Sequence, residues 1–202
     1  MAAPVGLFLI VEAMPAAASI ERVKAALQAA RFASVLIVAA GDQALDAGLA
    51  RPFVEAIQAA DAAALIDNDA QLARTLRADG VHLRASSALE ARAREAREIL
   101  GARYIVGAEA ASRHDAMMLG ELGAEYVAFA SGEDQIDLVD WWAEIFEIPC
   151  IALDVASPEA AIDLAHAGAD FIAFRFDCTA SAADVQDRVR AFAAACEGSA
   201  RA

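Results

Sequence analysis

Short apolar runs alternate with longer amphipathic segments along almost the whole chain. The apolar runs are typical of strands that are buried on both faces, and the segments between them are typical of helices. The pattern predicts eight strands, at residues 6–11, 34–38, 62–66, 81–83, 104–108, 126–130, 150–153 and 171–174. It predicts helices at residues 20–30, 48–60, 71–76, 87–100, 112–122, 136–146, 157–167 and 181–196.

This order of elements restricts the fold. Two strands that are joined through a helix run parallel, with a right-handed crossover. Eight such repeats predict an α/β protein made of a single (β/α)8 TIM barrel, which would occupy residues 1–197 and leave a short tail at 198–202. A doubly wound open sheet is the alternative.

The segment at residues 62–84 shows where a ligand would lie in such a fold. A buried strand runs into Asp67, Asn68 and Asp69, which are followed by a short helix and the strand that contains His82. Asp69 is suited to capping the helix. The polar triplet therefore follows the carboxyl end of a strand, which is the end at which α/β folds bind ligands.

Charge and cysteine content exclude several classes of function. The 202 residues carry a formal net charge of -14, which argues against nucleic acid and anionic membrane surfaces as partners. Three widely spaced cysteines suggest neither a disulfide framework nor a metal motif, so we expect a cytoplasmic protein. No apolar run is long enough to span a bilayer, and the first run lacks the preceding positive charge of a signal peptide.

A weak internal repeat precedes strands four, six and eight. The three segments are Ala78-Asp79-Gly80-Val81, Ala124-Glu125-Tyr126-Val127 and Ala169-Asp170-Phe171-Ile172. Each joins a helix to a strand, which places it on the face of the barrel opposite the ligand end. We interpret the repeat as three favourable turns that serve stability rather than chemistry.

Several segments resemble the thiamine phosphate synthase superfamily, which includes the thiazole tautomerase (TenI-like) proteins. Residues 77–83 are similar to its A-D-G-V-H-L segment, and residues 65–73 resemble its third strand with the following Asn-Asp pair. Further similarity lies at residues 7–11, 104–107, 123–129 and 167–172, so it covers nearly the whole chain. The resemblance implies a (β/α)8 barrel, a homo-oligomer and a link to thiamine biosynthesis.

The resemblance also implies a reaction, but the residues that would perform it differ here. Family synthases join hydroxymethylpyrimidine pyrophosphate to thiazole phosphate with Mg²⁺, and hold pyrophosphate through Gln-x-Arg-x-Lys on strand two. The corresponding positions here are Leu36, Val38 and Ala40. The Asn-Asp pair is exchanged to Asp67 and Asn68. Five other family ligand positions also differ, at Ser87, Glu109 and the loops 131–135, 153–156 and 175–177.

The barrel mouth is defined here as the surface at the carboxyl ends of the strands. Its predicted polar residues are Glu12, Asp42, Asp67, Asn68, Asp69, His82, Arg84, Glu109, Asp154, Arg175 and Asp177. From these we predict the ligand-binding set Asp67, Asn68, His82, Arg84, Glu109, Asp154 and Arg175. Asp67 and Asp154 could instead bind Mg²⁺ through their oxygens, or could pair with arginines. Arg175 is the best candidate for binding a phosphate, with an ion pair to Asp154 or Asp177 as its structural alternative.

Other reactive residues have simpler interpretations. His82 lies inside a strand and is more plausible as a core or supporting residue than as a base. His114 follows the helix cap Ser112 and is expected on the surface, and no histidine is evident beside Cys178 to activate a nucleophile. Trp141 and Trp142 fit packing of a helix or an oligomeric contact better than a cofactor site.

Three functions remain open at this point. The leading hypothesis is a divergent family member that binds a phosphorylated small molecule at the barrel mouth but has lost the synthase reaction. The second is an active thiamine phosphate synthase, which would be a transferase. The third is a non-catalytic binding or scaffold protein that uses its acidic surface. Fold alone does not decide among them.

Overall fold

The eight strands form one closed parallel barrel. The computed structural model describes residues 5–15, 17–41 and 44–199. The strands are β1 Gly6–Ala13, β2 Ser34–Ala39, β3 Ala63–Asp67, β4 Gly80–Leu83, β5 Ile105–Glu109, β6 Tyr126–Phe129, β7 Cys150–Ala152 and β8 Phe171–Arg175. Each strand pairs in parallel with the next, and β8 pairs with β1. The predicted (β/α)8 barrel is therefore confirmed, and the open-sheet alternative is wrong because the sheet has no edge.

A helix follows every strand. The helices are α1 Ala17–Ala29, α2 Ala47–Gln58, α3 Ala70–Leu76, α4 Leu89–Leu100, α5 Arg113–Glu121, α6 Gln135–Ile145, α7 Pro158–Ala167 and α8 Ala182–Gly198. Asp69 and Ser112 cap their helices as the sequence predicts, and Ser157 and Ser181 cap theirs as well. Ser87 does not, because α4 begins at Leu89 after Ala88, which makes no side-chain cap.

Two hydrophobic layers hold the barrel together. The interior layer includes Phe8, Leu36, Leu65, Tyr126 and Ile151, which fill the barrel from several strands. The larger outer layer packs the opposite faces of the strands against the helices. Since both faces of every strand are covered, near-continuous apolar runs are what the strands require.

The repeated acidic turns form a recurring clamp at the amino-terminal end of the barrel. Asp79 accepts a hydrogen bond from the Ala64 N–H at 2.8 Å, and its own N–H donates to the Ala64 carbonyl at 2.8 Å. Glu125 makes the same pair of bonds with Val106, and Asp170 makes it with Cys150. The predicted role in stability has a physical basis. Each carboxylate accepts a hydrogen bond from a strand N–H that lies outside the hydrogen-bond ladder between the paired strands.

Within the described residues, no helix combines the length and the apolar composition that crossing a membrane requires.

Candidate functional site

Charged side chains from the ends of five strands, β3, β4, β5, β7 and β8, meet at the barrel mouth. Asp67 and Glu109 are the last residues of β3 and β5, and Arg175 is the last residue of β8. Arg84 directly follows β4, and Asp154 lies two residues after β7. Since Asp67, Glu109 and Asp154 follow predicted strands three, five and seven, the sequence predicts them in one layer of alternate strands. The two strand-terminal carboxylates fit that expectation, whereas Asp154 belongs to a loop.

Asp67 and Arg84 form a two-pronged ion pair. One guanidinium nitrogen, Nη2, lies 2.6 Å from Asp67 Oδ2, and Nε donates to Oδ1 at 3.1 Å. The Asp67 side chain is 10% exposed and that of Arg84 is 54% exposed. Burial raises the pKa of Asp67 and outweighs the opposite influence of Arg84, Arg175 and Arg92. In this pair the Asp67 carboxylate is largely buried, whereas the Arg84 guanidinium is exposed to solvent.

Asn68 holds two loops together. Its backbone is left-handed, with φ at 63°, and its N–H donates to the His82 carbonyl at 2.7 Å. Its side-chain oxygen accepts from the Arg84 N–H at 3.0 Å and from the Arg92 guanidinium. The oxygen is therefore occupied, so a ligand could use only the amide NH₂ group of Asn68.

His82 and Tyr126 form a buried polar pair inside the barrel. His82 Nδ1 lies 2.9 Å from the Tyr126 hydroxyl, and their rings are stacked with an angle of 12° between the planes. Burial lowers the pKa of His82 to about 4 and raises that of Tyr126. Both side chains are consequently neutral near pH 7. The expectation of a supporting core histidine agrees with this burial.

Glu109 completes the acidic side of the barrel mouth. It is half-buried, and the backbone N–H of Ala85 donates to its carboxylate. Burial is the largest cause of its raised pKa, and the negative charges of Asp154 and Asp67 act in the same direction. The charges of Asp67 and Asp154 therefore both act on Glu109.

Arg175 and Asp154 form the second ion pair of the barrel mouth. Arg175 Nε donates to Asp154 Oδ1, and Nη2 lies 3.4 Å from Oδ2. Each side chain is 40% exposed. The sequence predicts an ion pair of Arg175 with Asp154 or Asp177, and in the structure the partner is Asp154. Asp177 instead accepts hydrogen bonds from the backbone N–H and the hydroxyl of Thr179, which lower its pKa.

Three bracing residues were not predicted from the sequence. Arg188 on α8 donates to the carbonyls of Arg175 at 2.7 Å and Ala156 at 3.1 Å. Gln135 is buried and donates to the carbonyls of Phe129 and Leu153, both at 2.8 Å. The alternation of arginine and glutamate along α4 predicts Arg92 on a solvated face, but its guanidinium contacts Asn68. Their sequence context carries no signal, because each contact is made across elements to a backbone or loop atom.

The apolar positions on β2 point into the barrel. Leu36 and Val38 belong to the interior layer, where they are 3% exposed. No cation from β2 therefore reaches the barrel mouth at these two positions. The positive charge of the mouth comes from Arg84, Arg92 and Arg175 instead.

The donor set does not fit a prepared Mg²⁺ site. Both oxygens of Asp67 contact Arg84, and those of Asp154 contact Arg175. Across residues 5–15, 17–41 and 44–199, no group of three or more His, Cys, Asp and Glu side chains is arranged to hold a metal ion. Metal binding by Asp67 and Asp154 stays a prediction that would require both arginines to move.

The remaining candidates lie apart from this constellation. His114 is exposed, as expected, and Trp142 is fully buried with its Nε1 donating to the Ile148 carbonyl at 2.8 Å. Trp141 is half-buried beneath the Arg113 guanidinium, 4.9 Å from the ring centre. Asp69 caps α3 by accepting a hydrogen bond from the Leu72 N–H. Asp42 lies outside the described residues.

Comparisons with known sequences agree on one family. The sequence model for thiamine monophosphate synthase matches residues 7–176. The chain is 39% identical over 145 residues to a thiamine-phosphate synthase of Erythrobacter litoralis (strain HTCC2594), covering 65% of this chain and 67% of that protein. It is 39% identical over 134 residues to one of Rhodospirillum centenum (strain ATCC 51521 / SW), covering 61% and 62%.

A third relative and a solved structure extend the comparison. A thiamine-phosphate synthase of Hyphomonas neptunium (strain ATCC 15444) is 38% identical over 127 residues, or 57% of this chain and 56% of that protein. The matches therefore span little more than half to two thirds of these relatives. Thiamine phosphate pyrophosphorylase from Pyrococcus furiosus superposes with a TM-score of 0.79 at 20% identity, covering 96% of each chain, which supports the barrel fold.

Proposed function

The chain belongs to the thiamine monophosphate synthase family, and on this premise we propose that it forms thiamine phosphate at the barrel mouth. The reaction would join hydroxymethylpyrimidine pyrophosphate to thiazole phosphate. The observation that carries the proposal is the 38–39% identity to three proteins named thiamine-phosphate synthase. This observation favours the second hypothesis of the sequence analysis over the leading one, in which the reaction is lost.

The arginines of the barrel mouth support the binding of both substrates. Each substrate carries phosphate groups, and anions of this kind are held by cations and N–H donors. Arg175 ends β8, beside the position at which barrels commonly bind phosphate. Arg84 lies across the mouth and is 54% exposed, so its guanidinium can reach a ligand. In this proposal the two arginines bind phosphate groups and stabilise the charge that develops on departing pyrophosphate.

His82 supports the proposal as a neutral hydrogen-bond donor. The Tyr126 hydroxyl has His82 Nδ1 as its hydrogen-bond partner, so donation from the hydroxyl satisfies both groups and leaves the ring proton on Nε2. In this proposal the uncharged Nε2–H donates to a ligand.

Magnesium would supply positive charge to the phosphate groups if it bound at the mouth. The carboxylates of Asp67 and Asp154 do not fit that role while they hold Arg84 and Arg175. We therefore assign no step of the reaction to the metal.

One observation favours a second candidate, which is the leading hypothesis of the sequence analysis. Leu36 and Val38 occupy the β2 positions at which family synthases place pyrophosphate donors, and both point into the apolar interior. Arg84 and Arg175 are paired with Asp67 and Asp154. A protein with this mouth would bind a phosphorylated small molecule without joining the two substrates.

A single experiment separates the two candidates. Thiamine phosphate would be measured with both substrates and Mg²⁺, together with the melting temperature in the presence of each substrate alone. The synthase proposal expects product from the native chain and a large loss of product with Arg175→Ala. Asp163→Asn, which alters an exposed residue of α7, is the control and should match the native chain. A folded protein that is stabilised by a substrate but yields no product would instead support the second candidate, because ligand binding alone stabilises by mass action.

A further inference from the structure

The ion pair between Asp154 and Arg175 lies in the open part of the barrel mouth. Two guanidinium nitrogens of Arg175 face the two carboxylate oxygens of Asp154. This arrangement is the one in which an arginine also binds two oxygens of a phosphate. Both side chains are 40% exposed, so a solute can reach the pair. Asp154 therefore occupies the binding edge of the best-placed phosphate donor.

The backbone at Asp154 is unusual for a residue with a side chain. Its φ is 52°, in the left-handed region that residues other than glycine adopt uncommonly. Such a conformation persists only where its surroundings enforce it, and it is a reason to look for function. Here the conformation directs the carboxylate onto Arg175.

The loop that carries Asp154 is fixed on both sides. The next residue, Val155, donates its N–H to the Ala173 carbonyl on β8 at 2.9 Å. Arg188 joins the carbonyls of Ala156 and Arg175, so it ties the loop to the end of β8. Separation of the ion pair consequently needs rotation of side chains and no displacement of the loop.

We propose that Asp154 is an internal competitor for the phosphate-binding edge of Arg175, and that it limits this edge to strongly charged phosphate ligands. The inference rests on the proposed function, since it assumes that phosphate groups bind at the barrel mouth. A monoanion carries no more charge than the Asp154 carboxylate. The carboxylate is also held beside Arg175 at a high effective concentration, so a monoanion does not displace it. A phosphate ester carries about −1.5 to −2 near pH 7 and offers three oxygens, so it can displace the carboxylate.

The displaced carboxylate also has a consequence for release. It would lie beside the bound anion, within the group of carboxylates that already includes Asp67 and Glu109. Repulsion between like charges would then weaken binding and favour departure of a phosphorylated product. Asp154 thus lowers affinity by competition before binding and by repulsion afterwards.

The proposal predicts the sign of one substitution. Asp154→Asn removes the charge and keeps the shape, and asparagine tolerates the left-handed backbone. Binding of inorganic phosphate and inorganic pyrophosphate would be measured by calorimetry with EDTA present. Pyrophosphate should bind at least about tenfold more tightly to Asp154→Asn than to the native chain, which is the size expected for losing one charged hydrogen-bonding competitor. Asp154→Gly, which suits the same backbone, should show a similar gain and serves if the first variant folds poorly.

Two comparisons make the test specific. Asp163→Asn changes the net charge equally at an exposed site on α7, and should leave the affinity unchanged. Adding Arg175→Ala to Asp154→Asn should abolish the gain, because the gain depends on the released guanidinium. Unchanged or weaker binding by both Asp154 variants would overturn the proposal, as would a gain that survives loss of Arg175. Since no turnover is measured, failure of the synthase reaction would not affect this result.

Discussion

The Tyr126 hydroxyl and His82 Nδ1 lie 2.9 Å apart inside the barrel, with their rings stacked. This contact lets the apolar interior contain two polar side chains without an unsatisfied group. It also joins the end of β4 to β6 across β5, and space for the Tyr126 ring comes from Gly107. A Cβ atom at Gly107 would lie 2.0 Å from Tyr126 Cζ.

Removal of the Tyr126 hydroxyl should destabilise the fold and alter the histidine. In Tyr126→Phe, Nδ1 of His82 loses its partner in a buried position, at a cost of about 1–3 kcal/mol. We expect a lower free energy of unfolding in urea and a changed distribution of His82 tautomers in ¹⁵N NMR spectra. Tyr104→Phe is a matched control on a half-buried tyrosine and should change neither quantity. Equal stability of the two variants would contradict the assigned role of the hydroxyl.

Substitution of Gly107 tests the packing that supports this pair. Gly107→Ala would place a methyl group within 2.4 Å of three Tyr126 ring atoms, so the ring must move. Overpacking of this kind costs typically 1–3 kcal/mol, and separation of the hydrogen bond would add to it. The expected result is a lower melting temperature, or little folded protein. Gly132→Ala is the control, since its Cβ would meet nothing within 4 Å. A melting temperature of Gly107→Ala close to that of Gly132→Ala would show that the interior adapts.

The charge of His82 should make stability depend on pH. Its pKa is lowered in the folded protein from the ordinary 6.5 to about 4, so between these values the unfolded chain binds more protons. Stability from this residue is complete above about pH 6.5, and is lost as the pH falls toward 4, by roughly 3 kcal/mol in total. Asp67 and Glu109 have raised pKa values and oppose this trend, because the folded state then binds more protons than the unfolded state.

The contribution of His82 to the pH dependence of stability can be obtained by comparing the native chain with a variant that lacks the histidine. Stability would be measured from pH 4 to pH 7.5 for the native chain and for His82→Gln. We expect the native chain to lose more stability than the variant as the pH falls through this window. Parallel curves would mean that another group carries the acid sensitivity.

The sequence predicts the fold of this protein better than the contacts of its candidate site. Buried strands and capped helices follow from local patterns, so Asp69 and Ser112 could be assigned as caps from the sequence alone. The Asp154–Arg175 pair could be anticipated as one of two options, because both residues follow neighbouring strands. The roles of Arg188 and Gln135 could not be anticipated, since their partners are backbone carbonyls on other elements. The left-handed backbone at Asp154 likewise has no signal in the sequence.

Arg188 should be important for the shape of the barrel mouth. Its two hydrogen bonds to the carbonyls of Arg175 and Ala156 join the ends of β8 and β7. Arg188→Ala would leave both carbonyls without this donor, so we expect a loss of about 1–3 kcal/mol and weaker phosphate binding. Arg190→Ala is the control, because Arg190 makes only exposed contacts with Asp187 and Gln186 on the same helix. Unfolding in urea and phosphate titration would show no difference between the two variants if the brace were dispensable.

The acidic clamps predict a stabilising substitution at Ala33. Asp79, Glu125 and Asp170 each donate a backbone N–H to a strand residue and accept that residue's N–H with a carboxylate. Ala33 makes the first of these bonds, to the Leu7 carbonyl at 2.9 Å, but has no side chain to make the second. Ala33→Asp should supply it between β1 and β2.

The expected gain is about 0.5–1.5 kcal/mol in the free energy of unfolding, the usual net value of one hydrogen bond. Ala33→Ser is the control, since its hydroxyl is too short to repeat the contact and should give no gain. Asp79→Ala should produce a loss of similar or larger size, because the Ala64 N–H would then lack its acceptor. Both Ala33→Asp and Asp79→Ala could lower stability. That result would confirm the clamp between β3 and β4 but show that the β1–β2 unit does not share its geometry.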